Sequence, residues 1–211
     1  MPTKVKWGGL RLLVLAASVL SVTVFSGCSS DDDSSGTPVL TPAEQVEQGW
    51  TFFETGEYAK ALAEFKAALA KDGTLADAQN GIGWTLGRIP DSLSHAPQWF
   101  DRSLRQDTTR YDALGGWAFA VYQLGEWQTA IDKSDYLLRR RPGWRFLHEP
   151  TLDETDIRLM QAGANYYLGN YSASLDLVVA HLNSAFEADV STPTGRRELL
   201  DEIERLRRVY G

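Results

Sequence analysis

The side chains with the most obvious capacity for chemistry are three histidines, one cysteine and a group of carboxylates. His95, His148 and His181 stand 53 and 33 residues apart, and none pairs with another histidine or a cysteine at the short spacing of a metal site. The carboxylates of residues 153–156 precede a helical pattern, where N-terminal capping accounts for them without catalysis. No serine lies in a nucleophile-elbow sequence. We therefore expect no enzyme activity, no metal and no cofactor.

The single cysteine, Cys28, closes an apolar run over residues 12–25 that follows three basic residues. A positive start, an apolar middle and small residues before a cut are the features of a secretory signal. The run is shorter than the roughly 20 residues of a membrane-spanning helix, and the serines and aspartates of residues 29–33 cannot bury a structural thiol. We expect residues 1–27 to be a signal peptide.

The stretch Phe25-Ser26-Gly27-Cys28 resembles the lipobox of bacterial lipoproteins. In that family the cysteine is acylated and becomes the first residue of the mature chain, which implies a lipid anchor at Cys28. Ser29 at the following position implies transport to the outer membrane. The resemblance therefore implies a lipid-anchored protein of the bacterial cell envelope that faces the periplasm.

The charge balance limits the partners. The formal net charge is −7, and removing residues 1–27, which hold three basic side chains and no acidic ones, leaves −10. A protein that binds nucleic acid needs a basic stripe, so we expect no nucleic-acid partner and a membrane contact through the acyl chains alone. Residues 28–41 predict a flexible acidic tether, and the remaining residues suffice for one domain with a sizeable core.

A hexapeptide pattern recurs along this domain, at residues 56–61, 125–130 and 169–174. Each copy has a turn glycine, an aromatic residue two positions later and a small residue five positions later. The first two glycines are 69 residues apart, which is two periods of about 34 residues. A degenerate copy with Pro90-Asp91 in the turn lies between them.

This period and these residue types resemble the tetratricopeptide repeat, most specifically at Gly49, Phe52, Gly56, Tyr58, Ala61, Phe65 and Ala68. The resemblance implies an all-α, right-handed α-solenoid of about four helix hairpins at residues 42–75, 76–109, 111–142 and 153–182. Residues 183–211 are expected to form a loop and a helix whose apolar stripe caps the open end of the core.

In tetratricopeptide arrays the first helix of each unit lines the concave groove, and its outward-facing positions meet ligands. Carried onto this chain, the resemblance implies a partner-binding groove formed by Trp50, Phe53, Asn80, Trp84, Arg88, Asp112, Phe119, Tyr122, Tyr166 and Tyr167. The alternative is that some of these rings are simply buried between neighbouring helices.

Residues 143–152 are an insertion between the third and fourth units and carry Trp144, Phe146 and His148. Such an insertion often serves binding, but its rings could equally fold back as a lid over the core. The basic run 139–141 before it suits the last turn of a helix or a docking patch for an acidic partner or lipid headgroup.

The sequence thus favours a non-enzymatic adaptor, tethered to the membrane, whose concave groove holds a segment of a partner protein or peptide. The alternative is a module that captures a glycan or peptidoglycan fragment through aromatic rings. Partner identity and oligomeric state stay open.

Overall fold

The computed structural model describes residues 40–210. Over that range the chain forms nine α-helices, one 3₁₀ helix (Leu93–His95) and no strand. The α-helices are α1 (Pro42–Glu54), α2 (Tyr58–Lys71), α3 (Ala76–Arg88), α4 (Ala96–Gln106), α5 (Tyr111–Gln123), α6 (Trp127–Arg140), α7 (Glu154–Tyr167), α8 (Tyr171–His181) and α9 (Pro193–Tyr210).

Two helices begin at capping boxes written in the sequence. Thr41 caps α1, where its hydroxyl accepts from the Glu44 N–H while the Glu44 carboxylate accepts from the Thr41 N–H. Asp153 and Asp156 make the same reciprocal pair at the start of α7. Each box satisfies backbone donors that a helix start leaves without partners. The carboxylates before α7 are therefore explained by helix capping.

The first eight helices form four hairpins, and the turn inside three of them contains a glycine with positive φ. Gly56, Gly125 and Gly169 have φ values of +79°, +85° and +80°, a region that other residues avoid because of their Cβ. The second hairpin departs, since Asp91 (φ +61°) takes the turn and the 3₁₀ helix follows it.

Glycines let the hairpins approach closely. Phe65 of α2 is fully buried between α1 and α3. A Cβ built on Gly49 or on Gly81 would lie 2.6 or 2.5 Å from Cε1 of its ring. Phe100 is fully buried against Gly83 in the same way. A small residue opposite each ring is thus a packing requirement.

The interface between the third and fourth hairpins is polar, whereas Phe65 and Phe100 fill the first two interfaces. Ser134 takes the place of a phenylalanine there, is fully buried, and donates its hydroxyl to the Ala130 carbonyl at 2.8 Å. The Gln161 side-chain amide of α7 donates to the Ser134 hydroxyl at 3.0 Å and to the Asp135 carboxylate at 2.7 Å. These bonds satisfy the buried polar groups and join the third hairpin to the fourth.

The first helices of successive hairpins pack on one another, α1 on α3, α3 on α5 and α5 on α7. They therefore form the inner side of the array. The last helix, α9, buries Leu199, Ile203 and Leu206 mainly against α7, with a smaller contact to α8, while Val209 is 61% exposed. The predicted all-α architecture of hairpins followed by a C-terminal helix is confirmed.

Candidate functional site

Residues 143–152, called the inner loop from here on, fold back onto the inner side of the first three hairpins. Trp144 is 2% exposed and Phe146 is fully buried, whereas Leu147, the next residue, is 72% exposed. The Phe146 N–H donates to the Leu152 carbonyl at 2.9 Å, which closes the loop on itself. The alternation along the chain directs two rings inward and leaves the tip in solvent.

Phe146 sits at the centre of an aromatic cluster. Its ring lies parallel to Trp84 of α3, with centroids 4.0 Å apart and planes 13° apart. It meets Trp50 and Phe53 of α1 edge-on, with centroids 6.0 Å away in both cases. Stacked and edge-to-face geometries are the favourable ones for aromatic rings. One loop residue therefore joins the first helices of the first two hairpins.

Trp144 is bound through Asp112 at the start of α5. The Trp144 Nε1–H donates to the Asp112 carboxylate at 2.8 Å, and the Trp84 Nε1–H donates to the Asp112 backbone carbonyl at 3.2 Å. Burial raises the pKa of Asp112, and the bond from Trp144 opposes that shift. A Cβ on Gly115 would lie 2.7 Å from the Trp144 ring. The indole fits because glycine leaves it room.

Contacts of His148 and Glu149 hold the far end of the inner loop. The His148 ring stacks on Trp50 at 3.7 Å with planes 4° apart, and its Nδ1 lies 2.9 Å from Glu54 Oε1. Glu149 forms an ion pair with Arg88, whose side chain is only 7% exposed. Burial lowers the pKa of Arg88 and the Glu149 charge opposes that shift. The loop thus contributes two aromatic anchors, an imidazole and a carboxylate.

The first half of the predicted groove is consequently covered. Trp50, Phe53 and Trp84 are 5%, 4% and 0% exposed, and Asn80 is 1% exposed. The sequence left open whether residues 143–152 serve binding or fold back as a lid, and in this structure they form a lid. Trp50, Phe53 and Trp84 of the predicted groove lie together around Phe146, so in this structure they contact the chain's own loop.

Tyr122, Tyr166 and Tyr167 of the predicted groove remain partly exposed. Five rings form a connected set, called the ring patch from here on: Tyr122, Trp127, Tyr166, Tyr167 and Tyr171. Tyr167 stacks on Trp127 at 5.0 Å and lies 6.5 Å from Tyr122; Tyr166 lies 5.9 Å from Tyr167 and 5.2 Å from Tyr171. The patch therefore runs from α5 to α8. Phe119 is also partly exposed on α5.

Charged side chains border the ring patch. The guanidinium of Arg196 lies over the Tyr171 ring at 4.7 Å. Burial raises the pKa of Tyr166 and Tyr167, and negative charge from α9 raises it further, that of Asp201 at Tyr166 and that of Glu204 at Tyr167. The patch thus combines aromatic faces with both signs of charge.

The helix α9 covers the inner side next to this patch. Arg207 donates to the Tyr122 hydroxyl and pairs with Glu204 at 2.7 Å. Burial lowers the pKa of Arg207 to about 10. A Cβ on Gly163 would lie 2.5 Å from the Tyr122 hydroxyl oxygen, so glycine is needed at this crossing. Sequence reasoning assigned α9 to capping and did not foresee its contact with α5.

Trp127 and Tyr171 were also missed as surface residues. Both follow a turn glycine by two positions, where the repeat pattern predicts an aromatic residue that fills the volume between units. The sequence signal that could have found them is the concentration of aromatic residues near these turns, since Tyr166 and Tyr167 lie just before the turn glycine of the fourth unit.

Cys28 and the expected signal peptide, residues 1–27, lie outside the described residues. Among residues 40–210, no helix is both long and apolar enough to cross a bilayer. No group of three or more His, Cys, Asp and Glu side chains in that same part of the chain is arranged to hold a metal ion.

No protein-family model matches the sequence, and no curated protein matches it. Solved structures do match. A tetratricopeptide repeat protein from Parabacteroides merdae ATCC 43184 is 19% identical with a TM-score of 0.55, over 80% of this chain and 61% of that one. MamA (AMB-1) is 13% identical with a TM-score of 0.58, over 81% of this chain and 98% of that one. YrrB, described as a TPR protein with an unusual peptide-binding site, is 16% identical with a TM-score of 0.57, over 77% and 84%.

The fold is that of a tetratricopeptide-repeat solenoid. The chain spans 61% of the length of the Parabacteroides protein. Within this solenoid, two of the chain's own segments, the inner loop and α9, lie on the inner side. The ring patch holds Tyr122, Tyr166 and Tyr167 of the predicted groove together with Trp127 and Tyr171, and all five side chains are partly exposed.

Proposed function

We propose that this protein is a membrane-tethered interaction module of the bacterial cell envelope that binds a partner protein through the ring patch. An acylated Cys28 holds it on the membrane, the outer membrane being favoured, and the domain faces the periplasm. The proposal rests on the difference in exposure between the two halves of the inner side. The inner loop buries the rings of α1 and α3, while the rings of α5 to α8 stay partly exposed.

The composition of the ring patch supports a protein partner. Tyrosine, tryptophan and arginine are the residues most enriched where protein interfaces concentrate their binding energy. Tyrosine also offers a large apolar face with a polar hydroxyl at low entropic cost. Leu124 and Leu168, which precede the turn glycines beside the patch, are 39% and 38% exposed and extend its apolar area.

The test is crosslinking from cells with a matched pair of variants. Tyr167→Ala removes the ring that contacts three other members of the patch. Tyr136→Ala is the control, because Tyr136 is 39% exposed on α6 and lies outside the patch. We expect Tyr167→Ala to lose a crosslinked partner that Tyr136→Ala and the wild type retain, with unchanged helical spectra. Equal recovery by both variants would contradict the proposal.

A second candidate is capture of a glycan or peptidoglycan fragment at the same rings. The carboxylates of Asp201 and Glu204 beside Tyr166 and Tyr167 favour it, because a sugar can stack on an aromatic face while its hydroxyls donate to carboxylates. Muropeptides or oligosaccharides should then shift the tryptophan fluorescence of the wild type. The shift should disappear in Trp127→Phe, whose tryptophan is the one in the patch.

A further inference from the structure

The inner loop is bound to the first three hairpins in the manner of a peptide ligand. Phe146 stacks on Trp84, His148 stacks on Trp50, the Trp144 indole N–H donates to Asp112, and the Glu149 carboxylate pairs with Arg88. Aromatic anchors combined with a few oriented polar groups are what peptide-binding grooves use. The contacts therefore describe a ligand as well as a lid.

We propose that the inner side of α1, α3 and α5 is a peptide-binding site that the chain occupies itself, and that a partner segment of the same chemistry competes for it. That segment has two aromatic residues two positions apart and an acidic residue three positions after the second, as Trp144, Phe146 and Glu149 do. The proposal goes beyond the proposed function, because it concerns other residues and holds whether or not the ring patch has a partner.

Each feature of this segment follows from one contact. The second ring must be flat because it stacks on Trp84 with planes 13° apart. The first must carry an N–H donor because it meets the Asp112 carboxylate at 2.8 Å. The acidic residue must reach Arg88, because Glu149 pairs with that guanidinium and the Arg88 side chain is only 7% exposed. An aliphatic or basic segment would meet none of these requirements.

The stack of hairpins does not need the inner loop as a connector. The other two unit-to-unit connections, residues 72–75 and 107–110, take four residues each, whereas residues 141–153 join α6 to α7. Both ends of the loop are in solvent, with Pro142 and Gly143 before the rings and Pro150 and Thr151 after them exposed. The loop can leave the groove while its ends stay where the helices hold them.

Competition sets how an added peptide should behave. The apparent affinity of a ligand is reduced by the fraction of molecules whose site is open, so the wild type should bind weakly and variants with a weakened loop should bind tightly. The probe is the acetylated, fluorescently labelled hexapeptide of residues 144–149, and the readout is fluorescence anisotropy with the purified full chain.

Two variants weaken the loop in different ways. Trp144→Ala with Phe146→Ala withdraws both anchors from the groove. Glu149→Gln keeps both rings and removes only the loop's own charge, whereas the peptide still carries its carboxylate. Leu147→Ala is the matched control, because that side chain is 72% exposed and its loss leaves every groove contact in place.

We expect the double variant to bind the hexapeptide at least about a hundredfold more tightly than the wild type, and Glu149→Gln at least about tenfold more tightly. Leu147→Ala should match the wild type, and a hexapeptide with both aromatics replaced by alanine should bind none of them. If the double variant does not fold, as its helical spectrum will report, Glu149→Gln decides alone.

Three results would overturn the proposal. The first is a wild-type affinity for the hexapeptide in Glu149→Gln or in a folded double variant. The second is equal binding of the alanine peptide. The third is a wild-type dimer in sedimentation that Trp144→Ala with Phe146→Ala dissociates, because the groove would then hold the loop of a second copy.

Discussion

Replacing Phe146 by alanine tests the central structural claim, that the inner loop belongs to the folded core. The ring is fully buried, stacks on Trp84 at 4.0 Å and meets Trp50 and Phe53 edge-on. Removing a buried phenylalanine side chain costs about 3–5 kcal/mol, because apolar contacts are lost and a cavity remains. We expect Phe146→Ala to lower the free energy of unfolding by that amount.

The control is the adjacent residue. Leu147 is 72% exposed, and surface substitutions of this kind usually change stability by less than about 0.5 kcal/mol. The two substituted residues are adjacent in the chain, but Phe146 is fully buried and Leu147 is exposed. A sequence effect on the unfolded state would affect them alike, so their difference reports burial.

The assay is urea unfolding followed by far-ultraviolet circular dichroism, with thermal unfolding alongside. For a domain of this size each kcal/mol lowers Tm by about 2–4 °C, so Phe146→Ala should melt roughly 10 °C below Leu147→Ala. A loss below about 1 kcal/mol for Phe146→Ala would show that the ring is not packed as described. The inner loop would then not cover the inner side of α1 and α3.

Three further predictions concern other parts of the molecule. Gly115→Ala places a methyl group 2.7 Å from the Trp144 ring. It should lower the free energy of unfolding by about 1–3 kcal/mol through overpacking and increase the quenching of Trp144 by acrylamide. Gly73→Ala is the control, because the nearest neighbour of its methyl group would be 3.9 Å away, and it should change neither stability nor quenching. Burial raises the pKa of Asp156 to about 6, so between pH of about 4 and about 6 the folded state keeps a proton that the unfolded chain has lost, and the free energy of unfolding falls as pH rises through that window. In urea titrations Asp156→Asn should lack the Asp156 contribution to this fall. A constant difference in stability between Asp156→Asn and the wild type across the window would refute the prediction. Cys28→Ser should move the protein from the membrane pellet to the supernatant with its helical spectrum unchanged, and retention in the pellet would exclude acylation as the anchor.

The helices and their turns were predictable because their determinants are local. A turn glycine followed by an aromatic and a small residue marks three of the four hairpins, and Pro90-Asp91 marks the turn of the second. Asp153 and Asp156 form the capping box at the start of α7. These signals act within a few residues, through backbone geometry and capping, so a single sequence displays them.

The candidate site was predictable only in part. The positions on the first helices were brought onto one inner side, since the repeat dictates which face of each helix looks inward. What covers Trp50 and Trp84 was not readable, because the contacts between the inner loop and α1 join residues almost 100 positions apart, as His148 and Glu54 do. Such contacts leave no period in the sequence.

The sequence by itself determined a helical repeat and its turns, because both depend on neighbours along the chain, and its acidic charge, which follows from composition alone. Only the tertiary structure decided that Phe146 lies on Trp84 and that Arg207 reaches Tyr122. An aromatic residue in a loop satisfies local rules equally well in solvent or in a groove. Its position depends on whether a distant surface offers a complementary face, and that surface exists only once the hairpins have stacked.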